Sequence, residues 1–358
     1  MIERKSILIR LISSIFFKGK KKSNNMFSNL KIIKIIVKLS FLCILLIIYK
    51  IRKTHINSRD YIRFITCYFG ARKINSNHRI RKYFQALDNF IPYAHITFCV
   101  SEYTEIDPIV IQHQNITINI ERFLNRSQED LLNKYPYSSP NSSRFFYNGI
   151  RYNFYSQYLK KHSEIKYVII SDDDTLFFRD PFPLIDSNPN VVHFMEDFFP
   201  FSVTKHMNYI WLKTWFSLDK KIKEKCGFKQ LNKSLLFNEI KNKIPLNVGL
   251  LMGNSKNIIK IADLIFTRFI CPGMFPNNAE QGLLNYLDLS SELKELGISI
   301  KRHNIYNDSL LSCPNYLPIK NFIQQLNSSH FIALHHYQYL KEYYITRSPK
   351  EFQSFLKK

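Results

Sequence analysis

A continuous apolar run that is followed, after one serine, by three aspartates is the feature that most limits how this chain can fold. The run Tyr167–Ile170 has no polar face, which is typical of a strand covered on both sides of its sheet. Three adjacent carboxylates, Asp172, Asp173 and Asp174, follow after one serine. Three adjacent like charges repel one another, so a cluster of this kind is not expected to stabilise the fold. The sequence therefore indicates a functional site where this strand ends.

Short apolar runs alternate with amphipathic stretches on both sides of this segment. This alternation predicts an α/β domain over 61–358, with a mostly parallel sheet and helices on both of its faces. Strands are predicted at 61–69, 95–100, 166–171, 190–196, 246–253 and 330–336, and helices at 76–91, 150–162, 255–269 and 278–288.

The N-terminal segment predicts a membrane anchor. Residues 32–49 are apolar apart from Lys34 and Lys38, and no small-residue cleavage site follows them. We therefore predict a basic cytoplasmic tail over 1–31, an uncleaved transmembrane signal anchor over 32–49 and a short stem over 50–60. Six N-x-[ST] triplets all follow the anchor, and they favour a single-pass type II protein whose domain is lumenal, in the Golgi or ER membrane.

The charge of the chain does not require a nucleic-acid partner. The formal net charge is +23, but residues 1–53 hold 13 Lys and Arg and one acid, so about half of the excess lies around the predicted anchor. No G-x-G-x-x-G, G-x-x-x-x-G-K-[ST], H-E-x-x-H or paired C-x-x-C motif is present, which disfavours dinucleotide oxidoreductases, P-loop NTPases and zinc-ribbon proteins. Five cysteines after Cys43 are compatible with a lumenal address, but the sequence does not assign their pairs.

The spacing of the aspartates indicates a divalent cation site. Asp172 and Asp174 are hard oxygen ligands two residues apart, and they suit Mg²⁺ or Mn²⁺. On a strand end, Asp173 is expected to point to the opposite side because side chains alternate, so it is predicted to be the dispensable acid of the three.

The segment that follows completes a recognisable pattern. A helix with Arg151-Tyr152, a strand, the D-x-D of Asp172 and Asp174, an aromatic pair and Asp180-Pro181-Phe182 together resemble the signature of nucleotide-sugar glycosyltransferases of the GT-A fold. Downstream, Asn247-Val248-Gly249 resembles the N-x-G strand of that family, Glu280-Gln281 its D-Q-x-x-x-N helix, and 335–339 its terminal H-Q-Y-D-R. Glu280 stands where the family has Asp, and Tyr339 where it has Arg.

The resemblance implies a GT-A-like, Rossmann-like fold and transfer of a sugar from a nucleotide diphosphate sugar to a hydroxyl of a glycan or glycoprotein. Asp172, Asp174 and His335 would hold Mn²⁺ or Mg²⁺, with His336 as the alternative histidine. Glu280 is a possible catalytic base if the enzyme inverts configuration. The residues that the resemblance places near the donor are Thr66, Tyr68, Arg151, Asp172, Asn247, Gly249 and Gln281.

Two other interpretations remain open at this point. The run 172–176 nearly matches the D-x-D-x-[TV] motif of haloacid-dehalogenase-like Mg²⁺-dependent phosphatases, but its fifth residue is Leu176. A membrane-anchored binding protein that keeps the fold without turnover is the second alternative.

Overall fold

The computed structural model describes most of the chain from Tyr61 to His335. The described residues are 61–125, 127, 142–197, 201, 207–231, 240, 242–272, 279–303, 310–312 and 333–335. The predicted tail, anchor and stem, at 1–31, 32–49 and 50–60, lie outside these residues, as does His336. Within the described ranges, no helix combines the length and apolar character needed to cross a membrane.

Twelve strands and nine helices are described in these ranges. The strands are β1 Ile62–Tyr68, β2 Lys73–Ile74, β3 His95–Ser101, β4 Glu105–Ile106, β5 Thr117–Leu124, β6 Tyr167–Ser171, β7 Thr175–Phe177, β8 Val191–Glu196, β9 Leu246–Asn254, β10 Ser299–His303, β11 Leu310–Ser312 and β12 Ala333–His335. The helices are α1 Arg79–Phe90, α2 Pro108–Ile111, α3 Ser142–Lys161, α4 Phe182–Ser187, α5 Met207–Phe216, α6 Lys220–Lys225, α7 Ser255–Ile270, α8 Ala279–Leu289 and α9 Glu292–Glu295.

A seven-stranded sheet in the order β10-β8-β9-β6-β1-β3-β5 forms the centre of the domain. All neighbouring strands are parallel except β9, which runs antiparallel to both β6 and β8. The prediction of a mostly parallel sheet is therefore confirmed. The antiparallel β9 was not predicted, because a wholly buried strand has the same apolar pattern in either direction.

Helices cover both faces of this sheet, as the sequence predicts. On one face, α3, α7 and α8 pack over Ile65, Val168 and Leu251. On the other face, α1 packs over Phe64 and Ile169. The core strand β6 is therefore covered on both sides, and its residues 168–171 are fully buried. The acidic segment follows directly from this strand.

A second, three-stranded sheet lies at the end of β6. Its order is β11-β12-β7, and β12 runs antiparallel to β7 with His335 opposite Thr175. The predicted strand 330–336 is observed only over Ala333–His335 within the described residues. This small sheet joins the end of the described chain to the residues immediately after the aspartates.

The cysteines form one disulfide among the described residues. Cys226, just after α6, is bonded to Cys271, just after α7, with a Cα–Cα distance of 5.6 Å. Cys67 and Cys99 are free thiols. The bond ties the end of α7 to the segment around α6, on the face of the sheet opposite α1.

Candidate functional site

The three aspartates form a turn, which we call the acidic turn (Asp172–Asp174), between β6 and β7. Its backbone is fixed to β9, because the Asp172 N–H donates to the Gly249 carbonyl over 3.0 Å and the Thr175 hydroxyl donates to the same oxygen over 3.2 Å. The Thr175 N–H closes the turn by donating to the Asp172 carbonyl over 3.1 Å. In a turn, side chains do not alternate as they do on a strand. The prediction that Asp173 lies opposite to both neighbours therefore rests on a wrong premise.

On one side, the acidic turn contacts α1 through Arg79. The Arg79 guanidinium donates from Nε and Nη2 to the two Asp173 oxygens, over 2.6 and 2.7 Å. Its Nη1 lies 3.8 Å from Asp174 Oδ2. Both aspartates are buried, with 6% and 7% of their side chains exposed. Asp173 and Asp174 thus share one arginine, and the two-pronged contact with Asp173 anchors the turn to α1.

On the other side, the turn contacts α3 and α8 through Arg151. Arg151 Nη1 donates to Asp172 Oδ1, and Arg151 Nη2 lies 3.7 Å from Glu280 Oε1. Only 9% of the Arg151 side chain and 4% of the Glu280 side chain are exposed, compared with 26% of Asp172. Arg151 is therefore a buried bridge between two carboxylates, and Asp172 is the most accessible acid of the turn.

Burial shifts the pKa values of the acids that flank this centre. Burial raises the pKa of Glu280 to about 7, against the opposing effect of the Arg151 guanidinium. Burial also raises the pKa of Asp173, to about 6, although Arg79 acts in the other direction. For Arg151, burial is the largest effect and acts to lower the pKa, but Asp172, Glu280 and two neighbouring tyrosines together outweigh it and the pKa is raised. The arginine therefore stays charged.

The pairing of strand β9 with β8 is interrupted next to the acidic turn. Its pairing with β8 changes register between Phe194–Leu251 and Met195–Asn247, which leaves 248–250 as a bulge. The Asn247 side-chain oxygen accepts the Gly249 N–H over 2.7 Å and holds this bulge. Asn247 and Gly249 thus support the backbone on which the acidic turn rests. Donor contact by these two residues remains a prediction.

Gln281 and Asn285 attach α8 to the same strand. Asn285 pairs with both backbone polar groups of Leu246, over 2.8 and 2.9 Å. Gln281 accepts the Val248 N–H over 3.4 Å and donates to Asn208. Both ends of the Gln281 amide are thus hydrogen-bonded within the protein, as expected of a residue that positions α8 against β9. The predicted contact with the donor would require these hydrogen bonds to break.

The two predicted residues of β1 differ in accessibility. Thr66 is fully buried, whereas Tyr68 is half-buried and packs edge-on against His78, with ring centroids 4.5 Å apart. β1 runs parallel to β6, so Tyr68 lies at the edge of the sheet that carries the acidic turn. Contact of either residue with the donor remains a prediction.

Three of the predicted residues offer ligands for a divalent cation. Asp172 and Asp174 offer carboxylate oxygens from one turn, and the β12 backbone places His335 opposite Thr175, next to Asp174. These are donor types that Mn²⁺ and Mg²⁺ accept, so the residues fit such an ion. Among the described side chains, no group of three His, Cys, Asp or Glu residues is already arranged around a metal position. The described partners of Asp172 and Asp173 are Arg151 and Arg79.

Arg79 was not predicted as a site residue. It lies in the first turn of α1, which follows β1 in a parallel sheet, so its position at the carboxyl edge of the strands was a usable signal. The D-P-F motif, in contrast, has a local structural use, since Asp180 Oδ1 accepts the Phe182 N–H over 3.0 Å at the start of α4.

Comparison with known proteins gives a distant likeness of shape. No protein-family model matches the sequence, and no curated protein matches it. Among solved structures, mouse xyloside xylosyltransferase 1 in its apo form is similar to the chain with a TM-score of 0.44 and 10% sequence identity. The alignment covers 76% of this chain and 97% of that one. Both scores are too low for this likeness to support a shared function.

Proposed function

We propose that the protein transfers a sugar from a nucleotide diphosphate sugar to a hydroxyl group of a glycan or glycoprotein, with the help of Mn²⁺ or Mg²⁺. The observation that carries the proposal is the acidic turn. It places three carboxylates at the end of β6, where open α/β sheets bind their ligands, and next to the backbone of His335.

The described residues suggest a division of roles. Asp172 and Asp174, with His335, would hold the ion, which when bound neutralises charge on the departing diphosphate. Asp173 and Arg79 would hold the turn in place. Tyr68 is the candidate contact for the base, because it is partly exposed at the end of β1 whereas Thr66 is buried.

Glu280 is the candidate for proton transfer. Burial raises its pKa to about 7, so near neutral pH the carboxyl group exchanges a proton readily, as a general base requires. Arg151 orients this carboxylate from 3.7 Å. Since the Glu280 side chain is only 4% exposed, contact with an acceptor hydroxyl requires neighbouring side chains to move.

A lumenal location in the Golgi or ER membrane is part of the same proposal. The apolar segment 32–49 supports an anchor. The disulfide Cys226–Cys271 supports an oxidising compartment, and the exposed Asn115 offers a site for N-glycosylation.

The deciding experiment is a panel of nucleotide sugars incubated with the full-length protein and Mn²⁺ or Mg²⁺, followed by detection of released nucleotide diphosphate. We expect one or a few donors to be turned over, and an excess of chelator to abolish that turnover. Phosphate release from phosphomonoesters without nucleotide-sugar turnover would instead identify a phosphatase. Binding without any turnover would identify a non-catalytic protein.

A further inference from the structure

Two arginines neutralise the acidic turn, and they do so in different ways. Arg79 engages both oxygens of Asp173 with two nitrogens, over 2.6 and 2.7 Å. Arg151 donates through Nη1 to a single oxygen of Asp172, and its Nη2 lies 3.7 Å from Glu280. Within the described structure, the buried Arg151 Nε has no hydrogen-bond partner. The Arg151 guanidinium is therefore shared between two acids and saturated by neither.

This difference matters for any cation that binds to Asp172. A divalent ion on the Asp172 carboxylate would lie within a few ångströms of the Arg151 guanidinium, and like charges at that range repel strongly in a buried environment. The ion and Arg151 therefore compete for one carboxylate. Arg79 donates to both oxygens of Asp173 and only approaches Asp174, at 3.8 Å, so it competes with the ion less directly than Arg151 does.

Glu280 is a second carboxylate with which Arg151 can pair. Its carboxylate is buried, with 4% of the side chain exposed, and faces the same guanidinium from α8. An arginine that leaves Asp172 would still have a buried carboxylate to pair with, so its displacement does not leave an unpaired buried charge.

We propose that Arg151 is an internal counter-cation of Asp172, that a divalent ion displaces it from that carboxylate, and that Glu280 then retains it. The proposal rests on the metal binding contained in the proposed function. It differs from the direct contact with the donor that the resemblance implies for Arg151. It also separates Arg151 from Arg79, which stays on Asp173 whether or not the ion is bound.

The test is a titration of the full-length protein with Mn²⁺ and no nucleotide sugar, in which the electron paramagnetic resonance signal of free Mn²⁺ reports binding. We compare wild type with Arg151→Gln and with Arg79→Gln as the matched control. We expect Arg151→Gln to bind Mn²⁺ about tenfold more tightly, because the competing charge on Asp172 is gone. We expect Arg79→Gln to tighten binding clearly less.

A second variant covers the case in which Arg151→Gln fails to fold. Arg151→Lys keeps the positive charge, but its single ammonium group cannot span Asp172 and Glu280 as a guanidinium does. It is expected to bind Mn²⁺ a few-fold more tightly than wild type, whereas Arg79→Lys is not.

Each result bears on the proposal. Tighter binding restricted to the Arg151 variants supports it. Equal tightening at Arg79 and Arg151 would show a general charge effect and overturn it, as would unchanged or weaker binding at Arg151. If wild type binds Mn²⁺ normally in those cases, the proposed metal site survives. If wild type binds no Mn²⁺, both the metal site and the counter-cation role are wrong.

Discussion

The two sides of the acidic turn contain the same type of ion pair in two different states. On the α1 side, Arg79 and Asp173 form a two-pronged contact that uses both oxygens of the acid. On the side of α3 and α8, Arg151 divides its charge between Asp172 and Glu280. The first arrangement fixes a backbone turn, whereas the second leaves its carboxylates open to exchange. An arginine–carboxylate pair therefore indicates a structural or a functional role only when the number of bonds and the competing partners are known.

The largest expected effect is a loss of turnover when either of the two proposed metal ligands, one on each side of the acidic turn, is changed. Asp172→Asn and Asp174→Asn should each lower nucleotide-sugar turnover on the order of a hundredfold or more, because each removes a charge proposed to hold the ion. Turnover with Mn²⁺ is the measurement, and Asp186→Asn, at an exposed position in α4, is the control. If both site variants kept wild-type turnover, neither acid would have the role we give it.

The next effect concerns Glu280 and its burial. Because burial raises its pKa to about 7, the folded state binds the proton more tightly than the unfolded state, whose pKa is near 4.5. The stabilisation is therefore complete below about pH 4.5 and is lost as the pH rises through about 7. Glu280→Gln should flatten this dependence and stabilise the protein above pH 7 by up to about 3 kcal/mol.

Urea unfolding at pH 5 and pH 8 measures that difference. Glu295→Gln, at an exposed position in the neighbouring helix α9, is the control and should change little at either pH. A Glu280→Gln variant with the same pH dependence as wild type would mean that this carboxyl titrates normally. Glu280 would then not behave as a buried acid that shares Arg151 with Asp172, and the two sides of the acidic turn would differ less than we describe.

The anchoring side is tested by Asp173→Asn. This change removes the two-pronged contact with Arg79, and that loss outweighs the relief of burying a charge whose pKa is raised to about 6, so we expect the free energy of unfolding to fall by about 1 kcal/mol. Part of the cost is offset because 30% of the Arg79 side chain reaches solvent. Thermal unfolding is the measurement. Intact stability combined with lost turnover would show that Asp173 acts in the chemistry and not in anchoring the turn.

The smallest effect compares two buried hydroxyl pairs. The Tyr83 and Ser171 hydroxyls lie 2.8 Å apart on the α1 face, and the Thr97 hydroxyl donates to Tyr158 over 2.8 Å on the α3 face. Tyr83→Phe and Tyr158→Phe should each cost about 1 kcal/mol in unfolding free energy. Only Tyr83→Phe should also lower turnover, since Ser171 directly precedes Asp172. Equal turnover losses in the two variants would remove this distinction.

Much of the sheet was predictable because buried strands have a clear apolar pattern. The strands at 61–69, 95–100, 166–171, 190–196 and 246–253 are all observed, each with bounds within one or two residues of the prediction. The direction of β9 was not predictable, because direction depends on which strand is its neighbour and not on local composition. The short strand β7 was missed for a related reason, since it is defined by its pairing with β12.

The site was predictable in position but not in its contacts. Three adjacent acids after an apolar strand were sufficient to place the acidic turn. The described partners of those acids come from α1 and α3, and one sequence gives no sign of which arginine meets which carboxylate. Gln281 shows the same limit, because its resemblance to a family motif does not reveal that its amide is bonded to Val248 and Asn208.

The pairing of β12 with β7 has a consequence for biosynthesis. Thr175 and His335 face each other although they are 160 positions apart in the chain. During translation, the acidic turn and the strands β1, β3 and β6 emerge from the ribosome long before β12, which pairs with β7. A nascent chain that has not reached residue 333 lacks the partner of β7 and any contribution from His335. A chain that ends before residue 333 would carry the acidic turn without β12, and we expect it to lack the activity that we propose.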